Sequence, residues 1–227
     1  TMELPNILNI ARKLGNTSRE GSNYPEILKK TTKAEAQQLG KKYIEETKWL
    51  RSEKPFFIDK MPNNFSHIGL LSLILPKAKI IDARRNPMDT CLSCFKQLFA
   101  RGQVFSYDLN EIGRYYVNYI RLMDHWNNVI PGKVYLADYE KMIGNQEQET
   151  RKLLEFCDLS FEENCLRFYE NTRAVKTASS EQVRQPIYKQ GINHWKNFED
   201  HLNELKLSLE PLNKDLRFKT SLLSSTV

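Results

Sequence analysis

The chain has 227 residues, 40% of them hydrophobic and 27% charged, with a formal net charge of +6 and a pI near 9.0. That composition fits one globular α/β domain over 1–219 with a polar tail at 220–227, and it shows no internal repeat, membrane-length apolar run or secretory h-region, so a cytoplasmic location is expected. The positive charge favours an anionic ligand, but the lysines and arginines are scattered rather than gathered in a stripe, so nucleic acid and membrane are not expected partners.

In chain order, 3–14 reads as an amphipathic helix and 15–24 as a polar loop, with a short helix starting at Tyr24-Pro25. Thr32 and Glu35 form a capping-box pattern that opens a helix to about Trp49. Phe56-Phe57-Ile58 reads as a strand ending in Asp59-Lys60-Met61-Pro62; Asn63 or Asn64 then caps a helix that Pro76 closes. Ile80-Ile81-Asp82-Ala83 is the next strand, making a β-α-β unit with parallel strands. Lys60 and Arg85 each stand just past a strand end and are expected in one crevice.

Asn86-Pro87 is a cap followed by proline at the first helical position, and Met88, Cys91, Leu92, Phe95 and Phe99 draw an apolar helical face. Free backbone N–H groups, the helix dipole and a guanidinium at this turn suit a phosphate. A Tyr-rich helix at 109–129, a strand at 134–136 and helices near 145–157 and 161–170 follow. The stretch 171–188 has no periodicity but is dense in anion-binding groups, the pattern of a functional lid. Cys91, Cys94, Cys157 and Cys165 make no disulfide framework, and Cys91-Leu-Ser-Cys94, inside a helix, reads as core packing rather than metal or redox chemistry.

Arg85-Asn86-Pro87, Asp89 and Ser93 resemble the 3′-phosphate segment of sulfotransferases that use 3′-phosphoadenosine-5′-phosphosulfate (PAPS). Asp59-Lys60-Met61-Pro62 is similar to that family's lysine segment, and Tyr139-Glu140 to its Y-E pair. The run from Thr177 to Pro186 resembles the S-S-x-Q-V-x-x-P loop of protein-tyrosine sulfotransferases and their bacterial relatives, and Gly191…Trp195-Lys196-Asn197 the G-x-x-x-W-K-N close of the cofactor site. The fold implied is a P-loop-like parallel sheet flanked by helices.

The activity implied is transfer of a sulfuryl group from PAPS to a hydroxyl-bearing acceptor, with PAP, the desulfated product, left behind and no metal required. Arg85 and Ser93 would hold the 3′-phosphate, Lys60 the charge on the sulfuryl group, and Ser179 would donate from the lid. Glu3 has two readings, catalytic base and capping glutamate. Tyr139, Ser180, Gln182, Val183, Arg184, Lys189, Gly191 and His194 complete the implied cofactor contacts; Asp89 has the simpler reading of holding the Arg85 turn together. His67 and His125 read as packing or surface residues.

The family's Gly/Ser/Thr-rich phosphosulfate turn is nowhere between Thr1 and Val227. The first strand and its loop are therefore expected to be lacking, with an open sheet edge beside Phe56–Ile58 and weak or no PAPS binding by these 227 residues alone. A homodimer is an open option. The competing readings are a nucleotide kinase or other P-loop NTPase, and a non-catalytic nucleotide-binding module.

Overall fold

A computed structural model of the chain describes residues 5–15, 23–51, 53–99, 102–171, 182–187 and 189–214. The described residues divide into two compact units, one within Thr1–Ala78 and Leu122–Pro131, the other within Lys79–Arg121 and Gly132–Val227.

The first unit is helical. α1 (Asn6–Gly15), α2 (Lys33–Glu46) and α3 (Ile68–Ile74) pool Ile7, Ile10, Ala11, Ala36, Tyr43, Leu70 and Ile74 in one core. The capping box forms as the sequence predicts: the Glu35 N–H donates to the Thr32 hydroxyl, and the Thr32 N–H to the Glu35 carboxylate at 2.7 Å. Pro62–His67 is a 3₁₀ turn that leads into α3, so the helix expected from Asn63 or Asn64 becomes regular only at Ile68.

Phe56–Ile58 is not a strand. Apart from a single bridge at Asp59, no neighbouring strand pairs with this run among the described residues, and Phe56 and Ile58 stay 65% and 71% exposed. An apolar tripeptide becomes a strand only against another backbone, so the β-α-β unit and the sheet edge expected here are both absent from the described structure.

The second unit holds the sheet. β1 (Ile80–Arg84) and β2 (Val134–Asp138) pair in parallel with Ile80 opposite Val134 and Arg84 opposite Asp138. Between them in the chain come α4 (Pro87–Phe95) and α5 (Leu109–Val129), so the parallel crossover exists one strand later than the sequence suggests. α6 (Tyr139–Gly144), α7 (Gln146–Phe156) and α8 (Asn203–Lys214) complete the unit. The architecture is a helix-rich α/β arrangement around a small two-stranded sheet. The helix expected at 161–170 is instead two 3₁₀ turns, Glu163–Cys165 and Phe168–Glu170.

The second core gathers Cys91 and Leu92 of α4, Ile112, Tyr116, Val117 and Ile120 of α5, and Leu202, Leu205, Leu209 and Leu212 at α8. Cys91 is buried, and burial pushes its thiol pKa well up, as in a packing residue. Among the described residues no helix is long and apolar enough to cross a membrane, and no cluster of His, Cys, Asp or Glu could hold a metal ion.

Close helix contact also dictates glycine at position 40. A β-carbon there would sit 2.0 Å from the Ile74 carbonyl oxygen, which is backbone and cannot swing aside. Gly40→Ala is therefore expected to cost about 1–3 kcal/mol of stability. An unchanged midpoint in urea unfolding would show that α2 and α3 are not packed this tightly.

Candidate functional site

The candidate site lies where β1 runs into α4. Two adjacent arginines meet there, and strand alternation sends them to different work. The Arg84 guanidinium lies 2.6 Å from the Asp82 carboxylate and donates through Nε to the Tyr119 hydroxyl at 3.2 Å; Tyr119 in turn donates to Asp82. Burial opposes the charge on Arg84, but Tyr119 and Asp82 outweigh it and hold the guanidinium pKa above its ordinary value. This network ties α5 to the sheet and takes no part in the candidate site.

Arg85 turns the other way. Its guanidinium donates to the Gly191 carbonyl and lies 5.4 Å from the centre of the Tyr139 ring. The approach is close: a β-carbon at 191 would come within 3.1 Å of Arg85 Nη2 and 3.4 Å of the Tyr139 hydroxyl, so both side-chain ends would have to give slightly for any larger residue. Arg85 Nε is buried and has no acceptor among the described residues. The Arg85 carbonyl accepts from the Tyr116 hydroxyl at 3.0 Å, which fixes the strand end to α5.

Asp89 holds this arrangement together. Its side chain has no exposed surface; Oδ2 accepts from the Asn193 N–H at 2.8 Å and Oδ1 from the Trp195 N–H at 2.9 Å, while Arg85 Nη2 lies 3.8 Å from Oδ1. Asn193 takes a left-handed conformation, φ 58°, which lets the two N–H groups straddle one carboxylate. The reading of Asp89 as the residue that steadies the Arg85 turn is thus what the geometry contains, and it extends to the 191–195 segment.

One expectation changes in kind. The first turn of α4 does not offer free N–H groups: those of Met88 and Asp89 donate to the Asn86 side chain at 3.0 and 3.3 Å, and the Asn86 N–H donates to Glu140 at 2.9 Å. An asparagine cap and a glutamate already occupy the positive end of the helix. Any anion site here is therefore built by side chains on the flank of α4.

Ser93 is exposed on that flank, one turn beyond Asp89 and so on the same face. Lys96, at the end of α4, is a further residue on this face; its ammonium donates to His194 Nε2 at 3.4 Å. Sequence reasoning overlooked Lys96, although its i+3 spacing from Ser93 was a readable signal.

Arg85, Tyr139, Gly191 and His194 are brought together around Asp89. Val183 is half-buried, and Arg184 and Lys189 are exposed. Glu3, Ser179, Ser180 and the Gln182 side chain lie outside the described residues, as does most of the 171–188 stretch. Lys60 belongs to the first unit, where partial burial draws its ammonium pKa down. With no strand ending at Ile58, the strand-end argument for Lys60 loses its premise. Beside it, Asp59 accepts from the Tyr43 hydroxyl at 2.6 Å, and its other oxygen is buried with no partner among the described residues.

A sequence model of the sulfotransferase family matches residues 5–163. The chain belongs to the sulfotransferase family. It is also 35% identical over 203 residues to an uncharacterized protein of Aquifex aeolicus (strain VF5), a match covering 88% of this chain and 27% of that protein. The chain thus spans about a quarter of the length of that relative. Within this sulfotransferase-family chain, the family match takes in Arg85, Asp89, Ser93 and Tyr139 but stops short of the 191–195 segment that Asp89 holds.

Removing the Asp89 carboxylate would strand two backbone N–H groups and take away the negative charge that faces the Arg85 guanidinium. Asp89→Ala is expected to cost about 3–5 kcal/mol, with faster hydrogen exchange at the Asn193 and Trp195 amides. Asp89→Asn, which keeps one oxygen acceptor, should cost less. A loss below about 1 kcal/mol for the alanine variant would mean that the clamp is not a structural support.

Proposed function

We propose that this chain is the nucleotide-binding part of a PAPS-dependent sulfotransferase that sulfates a hydroxyl group. The observation that carries the reading is the convergence of Arg85, Tyr139 and Gly191 beside the exposed Ser93 face of α4, in a chain of this family. The residues fit the group: a partly exposed guanidinium fixed by a carbonyl and a buried carboxylate, with a hydroxyl one turn along, suits a phosphate monoester. Arg85 and Ser93 would hold the 3′-phosphate, and Tyr139 would lie against the nucleotide. PAPS, when bound, supplies an activated sulfuryl group.

Sulfuryl transfer, like phosphoryl transfer, develops charge on equatorial and leaving oxygens, so fixed cations and donors carry most of the catalysis. Lys60 is our candidate for that charge, Ser179 for an added donor, and Glu3 for the base on the acceptor hydroxyl. The resemblance of the Thr177–Pro186 run to the loop of protein-tyrosine sulfotransferases makes a peptide tyrosine one candidate acceptor, beside glycan hydroxyls and small alcohols.

Calorimetry on the full-length protein tests the nucleotide half of the proposal. PAP is expected to bind at least about tenfold more tightly than adenosine 5′-phosphate, and Arg85→Ala to remove most of that difference. Equal affinities in the wild type would remove the PAPS assignment. For the chemistry, Lys60→Ala is expected to lower kcat more than it raises the KM for PAPS; an unchanged kcat would leave Lys60 a surface residue.

A further inference from the structure

The resemblance that suggests Arg85 and Ser93 assigns nothing to Lys96, yet the structure sets this lysine against two aromatic rings. Its ammonium sits 5.0 Å from the centre of the Phe198 ring and donates to His194 Nε2. The His194 and Phe198 rings themselves meet edge to face, 5.4 Å apart. Among the described residues Lys96 forms no ion pair with a carboxylate. A surface lysine normally keeps its rotamer freedom and its full hydration. This one is pinned by two rings and left with its charge uncompensated.

The direction in which it is pinned matters. Asp89, Ser93 and Lys96 follow one another at spacings of four and three, so they share one face of α4, with Ser93 and Lys96 about 4.5 Å apart along the axis. The 193–195 segment is fastened over that face by the two N–H bonds to Asp89, and His194, the residue between them, reaches toward Lys96. The exposed Ser93 hydroxyl is therefore flanked along α4 by Arg85, one turn before Asp89, and by Lys96 beyond it. The bland alternative is that Lys96 merely complements the carboxyl-terminal dipole of α4. That role would need neither His194 nor Phe198 to hold the ammonium.

We propose that Lys96 is a further ligand of the 3′-phosphate, and that His194 and Phe198 are positioning residues that keep its ammonium beside Ser93. The inference rests on the reading of Arg85 and Ser93 given above. It deepens that reading by making the site a pocket with a cation at each end, one a rigid fork and the other a point charge. Such a pocket discriminates by the presence of the 3′-phosphate, since neither cation has a partner on a nucleotide that lacks it.

The test is calorimetry on the full-length protein with PAP and with adenosine 5′-phosphate, each titrated into wild type, Lys96→Met, Lys96→Arg and His194→Ala. Lys152→Ala serves as a control for loss of one positive charge elsewhere on the unit, since Lys152 is exposed on α7 and paired with Glu149. Lys96→Met is expected to weaken PAP about tenfold while adenosine 5′-phosphate changes less than about twofold. Lys96→Arg should keep most of the discrimination, His194→Ala should lose part of it, and Lys152→Ala should lose none. Thermal midpoints should stay close to wild type for all four, which separates a ligand contact from a helix-capping role.

Wild-type discrimination that survives intact in Lys96→Met overturns this inference alone and leaves the Arg85–Ser93 reading standing. Equal weakening of both nucleotides by Lys96→Met also overturns it, because the effect would not depend on the 3′-phosphate. Absence of discrimination in the wild type overturns the underlying reading and this inference with it.

Discussion

Asp89 is the interaction on which the candidate site depends. A carboxylate without exposed surface, taking two backbone N–H groups and facing a guanidinium 3.8 Å away, is stable only while all of these partners are present. Its burial couples two segments more than a hundred residues apart in sequence, the first turn of α4 and the 193–195 turn. Because the 193–195 turn is fixed, Gly191 meets Arg85 and His194 meets Lys96. The site is preorganised by a group that would not itself touch a ligand.

The two neighbouring arginines illustrate how one dipeptide serves two purposes. Arg84 is neutralised within the sheet-to-α5 network by Asp82 and Tyr119, and its removal would leave a buried carboxylate unpaired. Among the described residues Arg85 has no such neutralising partner of its own at hydrogen-bond distance; it is held by a carbonyl and faces a carboxylate committed elsewhere. That difference leaves Arg85 with donor capacity for an anion, whereas the charge of Arg84 is already met by Asp82. The helix N-terminus, the other feature that suggests an anion, is closed by Asn86 and Glu140. Electrostatics at this end of the sheet thus comes down to which polar groups the protein itself has already satisfied.

Local chemistry made much of the fold legible in the sequence. The Thr32–Glu35 capping box, the Asn86-Pro87 helix start, the Tyr-rich helix and both observed strands follow from periodicity and capping, which act between residues a few positions apart. The family was legible too, because the Arg85–Ser93 and Tyr139-Glu140 segments keep their spacing along the chain. Even α8 had a signal, in the spacing of Leu202, Leu205, Leu209 and Leu212.

Tertiary structure decided what depends on distant partners. Phe56–Ile58 has strand-forming residues, but a strand is a pairing between backbones and not a property of three side chains, so it stayed unpaired and exposed. The Asn86 cap that takes the Met88 and Asp89 N–H groups is local, but Glu140, which takes the Asn86 N–H, lies 54 residues away and nothing local says where it will dock. Asp89, Gly191 and Lys96 acquired their parts only when the 191–195 segment was laid along α4. The sequence by itself determined the capped helices α2 and α4, the long helix α5, the two observed strands and which residues are candidates for a phosphate, since those rest on short-range geometry. Which arginine is tied to α5, where Glu140 docks and which lysine is held in place were set by long-range contacts, which no pattern of neighbours encodes.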